Sequence, residues 1–356
     1  MSLIPSVFLL MVTFGVFHGV LDNEFIESWD DSFYVTSNRF INSGLSLQNI
    51  KAAFTEIVAH NWHPVTMLSH LLDVELFGLA PKYHHLTNLL LHCSNTVLVY
   101  LFLLISTKKN IPALLVALIF GVHPLHVESV AWVSERKDLL SSFFILSALC
   151  VYYFYTLAGK TRRAHFLYAA VCILHIFGLM SKSMVITFPL LLLIVDYWPL
   201  DRFRHSNWKL LIKEKLPLIF FSCLFVFTTL ISQTGTYPFA LKINLTTVVY
   251  SYVHHFLSFF APASLSYLYS YSVKPSLAEM ATGIVILACF VRMIIAVGDR
   301  HRFLISGLMM YVVLYLPVSG IIRVGTHLYA DRYMYLPMLG LSTQLSQSHK
   351  HHNTLI

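Results

Sequence analysis

The sequence is poor in charge. Asp, Glu, Lys and Arg make up 12% of its 356 residues, about half the share usual in soluble domains. That scarcity excludes an ordinary water-soluble fold for most of the chain. It has no Gly-rich phosphate loop, which argues against a nucleotide-sugar donor. No Lys/Arg tract is long enough to follow a phosphate backbone. The formal charge of +7 is dispersed in short clusters, so no nucleic-acid partner is expected. The five cysteines, Cys93, Cys150, Cys172, Cys223 and Cys289, all lie in apolar runs with no Cys-x-x-Cys pair. They read as small buried hydrophobes, not as disulfides or metal ligands. The first apolar run, Leu3–Leu21, lacks a basic segment before it and a good cleavage site after it. It reads as an uncleaved span, not a signal peptide.

What is present is apolar length. The chain is 57% hydrophobic, with several runs of roughly 18 or more residues, enough to cross about 30 Å of hydrocarbon. The expected fold class is all-α, a polytopic transmembrane helix bundle of about nine to eleven spans. Residues 1–345 form one membrane domain, and the polar, His-rich stretch 346–356 is expected to be a disordered tail. After Leu3–Leu21, the spans are expected near Leu86–Ser106, Ile111–Val133, Leu139–Leu157, Phe166–Met180, Met184–Leu200, Leu216–Ser232, Met280–Val297 and Phe303–Ile322. A last run, Met334–Leu345, is short for a crossing.

The long connection 22–85 is not featureless. Leu47, Ile50, Phe54, Ile57 and Val58 recur at helical spacing, which predicts an amphipathic helix lying in the interface. After His63-Pro64, a second short helix is expected, with Met67, Leu68, Leu71 and Leu72 on one side.

Basic clusters set the expected orientation. Lys108-Lys109, Lys160–Arg163 and Arg202–Lys215 fall inside; the long first connection, Glu135–Asp138 and Lys182 fall outside. A single crossing by 246–272 would put Arg300 and Arg302 outside, against that rule. The segment is therefore expected to be re-entrant or interfacial. Asp30, Asp31, Glu128, Glu135, Asp138 and Asp331 then share one face with Arg136, Lys137, Lys182, Arg323 and Arg332.

That mixture suits a lipid-phosphate sugar donor. Cations stabilise a departing phosphate as charge develops, and a carboxylate takes the proton of an attacking hydroxyl. The adjacent Asp30-Asp31 pair is the candidate catalytic pair. A divalent cation, Mg²⁺ or Mn²⁺, is possible there, because paired carboxylates suit such ions. His123-x-x-His126-x-Glu128 invites a zinc reading, but Pro124 and the helix end favour hydrogen bonds to headgroups or neighbouring helices. Asp196-Tyr197-Trp198-Pro199 reads as helix termination on the inner side.

Several blocks stand in order: Asp30-Asp31; Asn61-Trp62-His63-Pro64-Val65-Thr66; Ser69-His70-Leu71-Leu72-Asp73; Phe77-Gly78-Leu79; His84-His85-Leu86-Thr87-Asn88; the long run from His123 to Asp138; Met180-Ser181-Lys182-Ser183; Asp196-Tyr197-Trp198-Pro199; and Ala330-Asp331-Arg332-Tyr333. Together, over about residues 20–340, they resemble the membrane half of bacterial multi-pass proteins that carry tetratricopeptide repeats. Those are similar to the eukaryotic transmembrane-and-tetratricopeptide O-mannosyltransferases of the glycosyltransferase C superfamily. The 123–138 block is the specific part; the acidic pair alone is not. Such repeats are not expected within these 356 residues.

The resemblance implies an enzyme of a bacterial inner membrane, working on its outer side. It would move a sugar from a polyprenyl-phosphate carrier to a hydroxyl of a protein or glycan. In that superfamily a carboxylate of the first outer loop acts as base or site organiser, which points to Asp30 or Asp31, with Asp30 favoured. His63-Pro64 matches a short loop helix near the donor phosphate. The expected substrate-binding residues are His63, Glu128, Glu135, Arg136, Lys137, Lys182, Asp331 and Arg332. The alternatives are a lipid or anion transporter, or a non-catalytic truncated membrane scaffold. Transporters usually show paired halves and broken helices at mid-depth, and no clear internal repeat is visible.

Overall fold

The computed structural model of the chain describes residues 3–233, 245–263, 301–321 and 329–346, with single positions between 265 and 292. All regular structure among them is helical. Five described helices are long and apolar enough to cross a membrane: Leu3–Asp22, Pro81–Thr107, Val133–Leu157, Arg162–Ser181 and Trp208–Ser232. Asn110–Val122 and Pro124–Ala131 make a sixth if the 53° bend between them is counted within one span. Ser183–Tyr197 and Arg302–Val318 are shorter apolar helices. The expected span Met280–Val297 and the tail 347–356 lie outside the described residues, apart from a few single positions.

Helix α1 (Leu3–Phe17) packs on α5 (Pro81–Thr107) and α6 (Asn110–Val122). Helix α8 (Arg136–Leu157) sits between α5 and α9 (Arg162–Ser181). The loop before α5 folds as α2 (Arg39–Asn42), α3 (Leu47–Thr55) and α4 (Pro64–Phe77). Its own small core of Tyr34, Val35, Ile41, Ala53, Met67 and Leu71 closes over Val133. The two loop helices expected from periodicity are α3, which ends at Thr55 and leaves Ile57 and Val58 beyond it, and α4. Ser46 caps α3 by accepting from the Asn49 N–H at 3.1 Å, as a helix N-cap should. Pro64 opens α4, where its missing N–H costs nothing.

The expected continuous span 111–133 is broken. Pro124 has no N–H to donate and disfavours a helical residue before it. His123 is accordingly extended, and its Nδ1 accepts from the Leu125 N–H at 3.2 Å. The chain bends by 53° into α7 (Val127–Ala131), and a 3-10 turn, Val133–Glu135, then delivers Glu135 to the start of α8.

Helices approach closely where side chains are absent, the usual means of packing in lipid. A Cβ on Gly121 of α6 would lie 2.6 Å from Thr13 Oγ1 of α1 and 2.7 Å from Thr96 Cγ2 of α5. A Cβ on Gly307, in the helix Arg302–Tyr315, would lie 2.5 Å from the Gly340 carbonyl of the helix Met338–Ser346.

Charged residues collect at both ends of the bundle. Arg136 opens α8 and Tyr152 lies sixteen residues further on, about 24 Å along the axis. Around Tyr152, Asp196 receives Lys215 at 2.7 Å and Arg202 at 3.1 Å, and Glu214 takes Arg202 at 2.8 Å and Lys215 at 2.6 Å. Asp196 and Lys215 are fully buried. Asp196 therefore does more than end a helix: it ties α10 (Phe188–Tyr197), past the short α11 (Arg202–His205), to α12 (Trp208–Gln233). Composition hid this, because α12 begins eight residues before the expected Leu216 and carries Lys215 into the bundle.

Replacing Gly340 by Val is expected to push apart the two C-terminal helices, at about 1–3 kcal/mol, read as a lower melting temperature in detergent. Lys215→Met strands Asp196 with reduced compensation and is expected to cost about 3–5 kcal/mol. The double variant Asp196→Leu/Lys215→Met should recover part of that loss, because it removes the unpaired charge as well.

Candidate functional site

The other end of α8 holds the expected site residues. Helix α8 begins Arg136-Lys137-Asp138, and successive side chains on a helix diverge by about 100°. Arg136 and Lys137 consequently face different surroundings.

Arg136 is fully buried and turned toward α4 and α5. Its Nε donates to Asn88 Oδ1 at 2.9 Å, and NH1 to Ser69 Oγ at 3.1 Å. NH2 donates to the His84 carbonyl at 2.9 Å and pairs with Asp73 Oδ2 at 2.6 Å. Its donors are committed within the protein, so it locks the loop domain to the bundle.

Lys137 points the other way. Its Nζ lies 3.0 Å from Glu135 Oε1, 3.7 Å from Asp30 Oδ2 and 4.8 Å from the centre of the Tyr34 ring. Glu135 is the hub. Its other oxygen meets Lys182 Nζ at 3.2 Å, and Arg332 Nε lies 3.3 Å from Oε1. Lys182 reaches on to Asp138 at 2.6 Å. Arg332 pairs through NH1 with Glu128, whose second oxygen accepts from the Arg332 backbone N–H at 2.8 Å. Its guanidinium lies 5.3 Å above the Trp132 ring. Asp30, Lys137, Glu135, Lys182, Asp138, Arg332 and Glu128 thus form one continuous network drawn from across the chain.

The two adjacent aspartates are not equivalent. Asp31 is fully buried; its Oδ2 accepts from the Ile26 N–H at 2.9 Å, and its Oδ1 from the Ser134 N–H at 2.9 Å and the Ser134 hydroxyl. It pins the loop to the turn before α8. The Asp30 carboxylate is 37% exposed and faces Lys137, so Asp30 is the one an incoming molecule can reach. Three or more His, Cys, Asp or Glu placed to hold a metal ion are not found among the described residues. Asp31 has its oxygens engaged by N–H and O–H donors, so the pair does not present converging free ligands to a divalent cation.

His63 lies just before α4 and is buried. Burial, and then the nearby Lys137 and Lys182 cations, push its pKa down to about 3, so the ring stays neutral. Its Nδ1 has no partner. Asp331 forms its hydrogen bonds with residues outside the network. It accepts from the Tyr269 hydroxyl at 3.1 Å and the Ser266 N–H at 3.2 Å. Burial, with the Glu128 carboxylate nearby, raises its pKa to about 6. The structure thus joins Asp30, Glu128, Glu135, Lys137, Lys182 and Arg332 directly. Asp31 and Arg136 flank them as anchors, His63 stands against the cations, and Asp331 is bonded to Tyr269 and Ser266 instead.

The zinc arrangement is absent. His123 spends Nδ1 on Leu125 and places Nε2 3.0 Å from the Phe259 carbonyl. His126 is packed among the Phe120, His92 and Tyr335 rings. Sequence reasoning missed Asp73 as the partner of Arg136, Asp138 as the partner of Lys182, and Trp132 beneath Arg332. The available signal was their place in the ordered blocks, since nothing in their spacing pairs them.

No family model matches the chain, and no solved structure matches it. Curated relatives do. Human protein O-mannosyl-transferase TMTC1 is 32% identical over 143 residues, 37% of this chain and 16% of the relative. The mouse protein of the same name is 38% identical over 93 residues, 26% of this chain and 10% of the relative. Protein O-mannosyl-transferase F38B6.6 of Caenorhabditis elegans is 24% identical over 342 residues, 90% of this chain and 46% of the relative. The chain is similar to the protein O-mannosyl-transferases. It spans less than half the length of these relatives.

Because the folded-state pKa of Asp331 lies above its ordinary value, its deprotonation works against the fold. That burden is present above about pH 6 and is lifted as the pH falls toward 4. Melting temperatures of the wild type relative to Asp331→Asn are expected to rise as the pH is lowered from 7.5 to 4.5. A flat difference would remove the titration from Asp331.

Proposed function

We propose that the chain transfers a sugar from a polyprenyl-phosphate carrier to a hydroxyl of a protein acceptor, at the outer face of a bacterial inner membrane. The observation that carries this reading is the reachable Asp30 carboxylate 3.7 Å from Lys137, with Lys137 and Arg332 gathered on Glu135. A base and cations within one network are what direct displacement at an anomeric carbon needs. The names of the relatives support a sugar donor, mannose first among those to try, and a protein acceptor.

In the proposed reaction the acceptor oxygen attacks C1 of the sugar and the C1–O bond to phosphate breaks. The acceptor proton passes to Asp30, and polyprenyl phosphate departs with the bonding electrons. Lys137 and Arg332 face the charge that grows on the leaving phosphate. Arg136, which is saturated by protein partners, and Asp31, which holds the turn before α8, act as positioning residues. Neutral His63 offers an uncharged ring nitrogen to the same place. The outer-face assignment rests on the distribution of basic clusters. Lys108, Arg202 and Lys215 lie with Tyr152 and Tyr153 at the end away from Asp30.

The test is the purified 356-residue chain incubated with a labelled short-chain polyprenyl-phosphate mannose and a Ser/Thr-rich acceptor peptide. Transfer is expected, and Asp30→Asn should reduce it by about 10²–10⁴-fold, the range for losing a general base. Asp31→Asn should instead lower the melting temperature, because a buried acceptor of three hydrogen bonds is altered. Transfer that survives undiminished in Asp30→Asn would refute the assignment of the base. Failure of the wild type with polyprenyl-phosphate mannose and its glucose and N-acetylglucosamine counterparts would refute the activity.

A further inference from the structure

One side chain beside this network is incomplete. Trp132 is only 6% exposed, yet its buried indole Nε1–H has no hydrogen-bond partner. A buried indole N–H normally finds an acceptor, and leaving a buried donor unpaired costs about 1–3 kcal/mol. Trp62 shows the usual outcome, donating from Nε1 to the Phe54 carbonyl at 2.8 Å.

The ring itself is firmly placed. The Trp132 carbonyl accepts from Asn88 Nδ2 at 3.1 Å, and Asn88 in turn is held by Arg136. Trp29, next to Asp30 in sequence, packs edge-on against it at 5.5 Å. Arg332 covers it at 5.3 Å. An immobile donor therefore stands between the neighbour of the reachable carboxylate and a cation that also touches Glu128 and Glu135. A ligand group that suits both an N–H donor and an adjacent guanidinium is an anionic oxygen. A second orphan, Nδ1 of buried His63, lies against Lys137 and Lys182 on the other flank of the same network.

The geometry points to Trp132 as a substrate-binding residue whose Nε1–H donates to a phosphate oxygen of the lipid-phosphate carrier. This rests on the donor chemistry proposed above and names a contact within it. Arg332 would then serve by stacking on the indole and facing the same phosphate, with Glu128 and Glu135 fixing its direction. The neutral ring adds a directional bond without adding another cation to a crowded buried cluster.

The five tryptophans of the chain allow a direct reading. The 356-residue chain carrying ¹⁵N-labelled indoles in micelles gives at most five indole N–H signals, and Trp132→Phe identifies one by its loss. Phe keeps a ring for Arg332 and Trp29, and its melting temperature reports whether the fold is retained. Titration with a short-chain polyprenyl phosphate is expected to move the Trp132 proton downfield and saturably. Trp132→Phe should bind the same compound about tenfold or more weakly, as expected for losing a hydrogen bond to a charged group. Inorganic phosphate and phosphatidic acid are the comparison arms. A response to either one equal to that of polyprenyl phosphate would assign the site to free phosphate or ordinary headgroups and overturn the inference. So would an unmoved Trp132 signal in protein that carries out Asp30-dependent transfer; in that case the proposed function stands and only this contact falls. No transfer, together with no indole response to polyprenyl phosphate, would bring down both.

Discussion

One buried carboxylate holds the loop end of this bundle together. Glu135 is 1% exposed and gathers Lys137, Lys182 and Arg332. These cations come from the start of α8, the end of α9 and a segment near the end of the chain. Three buried positive charges would repel one another strongly in a medium of low dielectric. With Glu135 among them, and with Asp30, Asp138 and Glu128 completing the pairs, they are forced into one place. Such networks are weak as a source of stability but strong as a constraint on geometry, since breaking a pair strands a charge. The candidate site is organised by that constraint.

The backbone breaks serve the same arrangement. A straight helix through residues 111–133 would carry Glu128 on along its own axis. The interruption at His123-Pro124 bends the chain, and the short helix and 3-10 turn that follow bring Glu128 to Arg332 and Glu135 to the start of α8. Ser134, in that turn, holds Asp31, and through it the loop that presents Asp30. Arg136 does the matching work on the opposite side by binding α4 and α5 at once. The exposed carboxylate is therefore the tip of a loop fixed from two directions. At the distant end of α8, the network of Asp196, Arg202, Glu214 and Lys215 anchors α12 in a comparable way. Helix α8 is thus clamped by charge at both ends and apolar between.

Much of this was readable beforehand. Apolar runs announced the helices, because crossing hydrocarbon demands length and leaves little room for charge. Helical spacing at Leu47, Ile50 and Phe54 announced α3, and Pro64 marked the start of α4. The gathering of Asp30, Glu135, Lys137, Lys182 and Arg332 at one end followed from counting crossings between basic clusters. Less readable was the division of labour among neighbours. Asp30 and Asp31 look alike in a string, as do Arg136 and Lys137. Asp196 looked like a helix stop because its partner Lys215 was assigned to a loop.

By itself, then, the order of residues determined the all-helical character, the placing of most apolar helices, and which charged residues share an end. Hydrophobic length and charge bias are properties of the strand alone, so they survive without coordinates. Only the tertiary structure decided which aspartate is reachable, which cation is spent on the scaffold, and which tryptophan is left with an unanswered N–H. Those outcomes depend on which way a side chain turns and what it meets, and a partner can lie 204 positions away, as Arg332 does from Glu128.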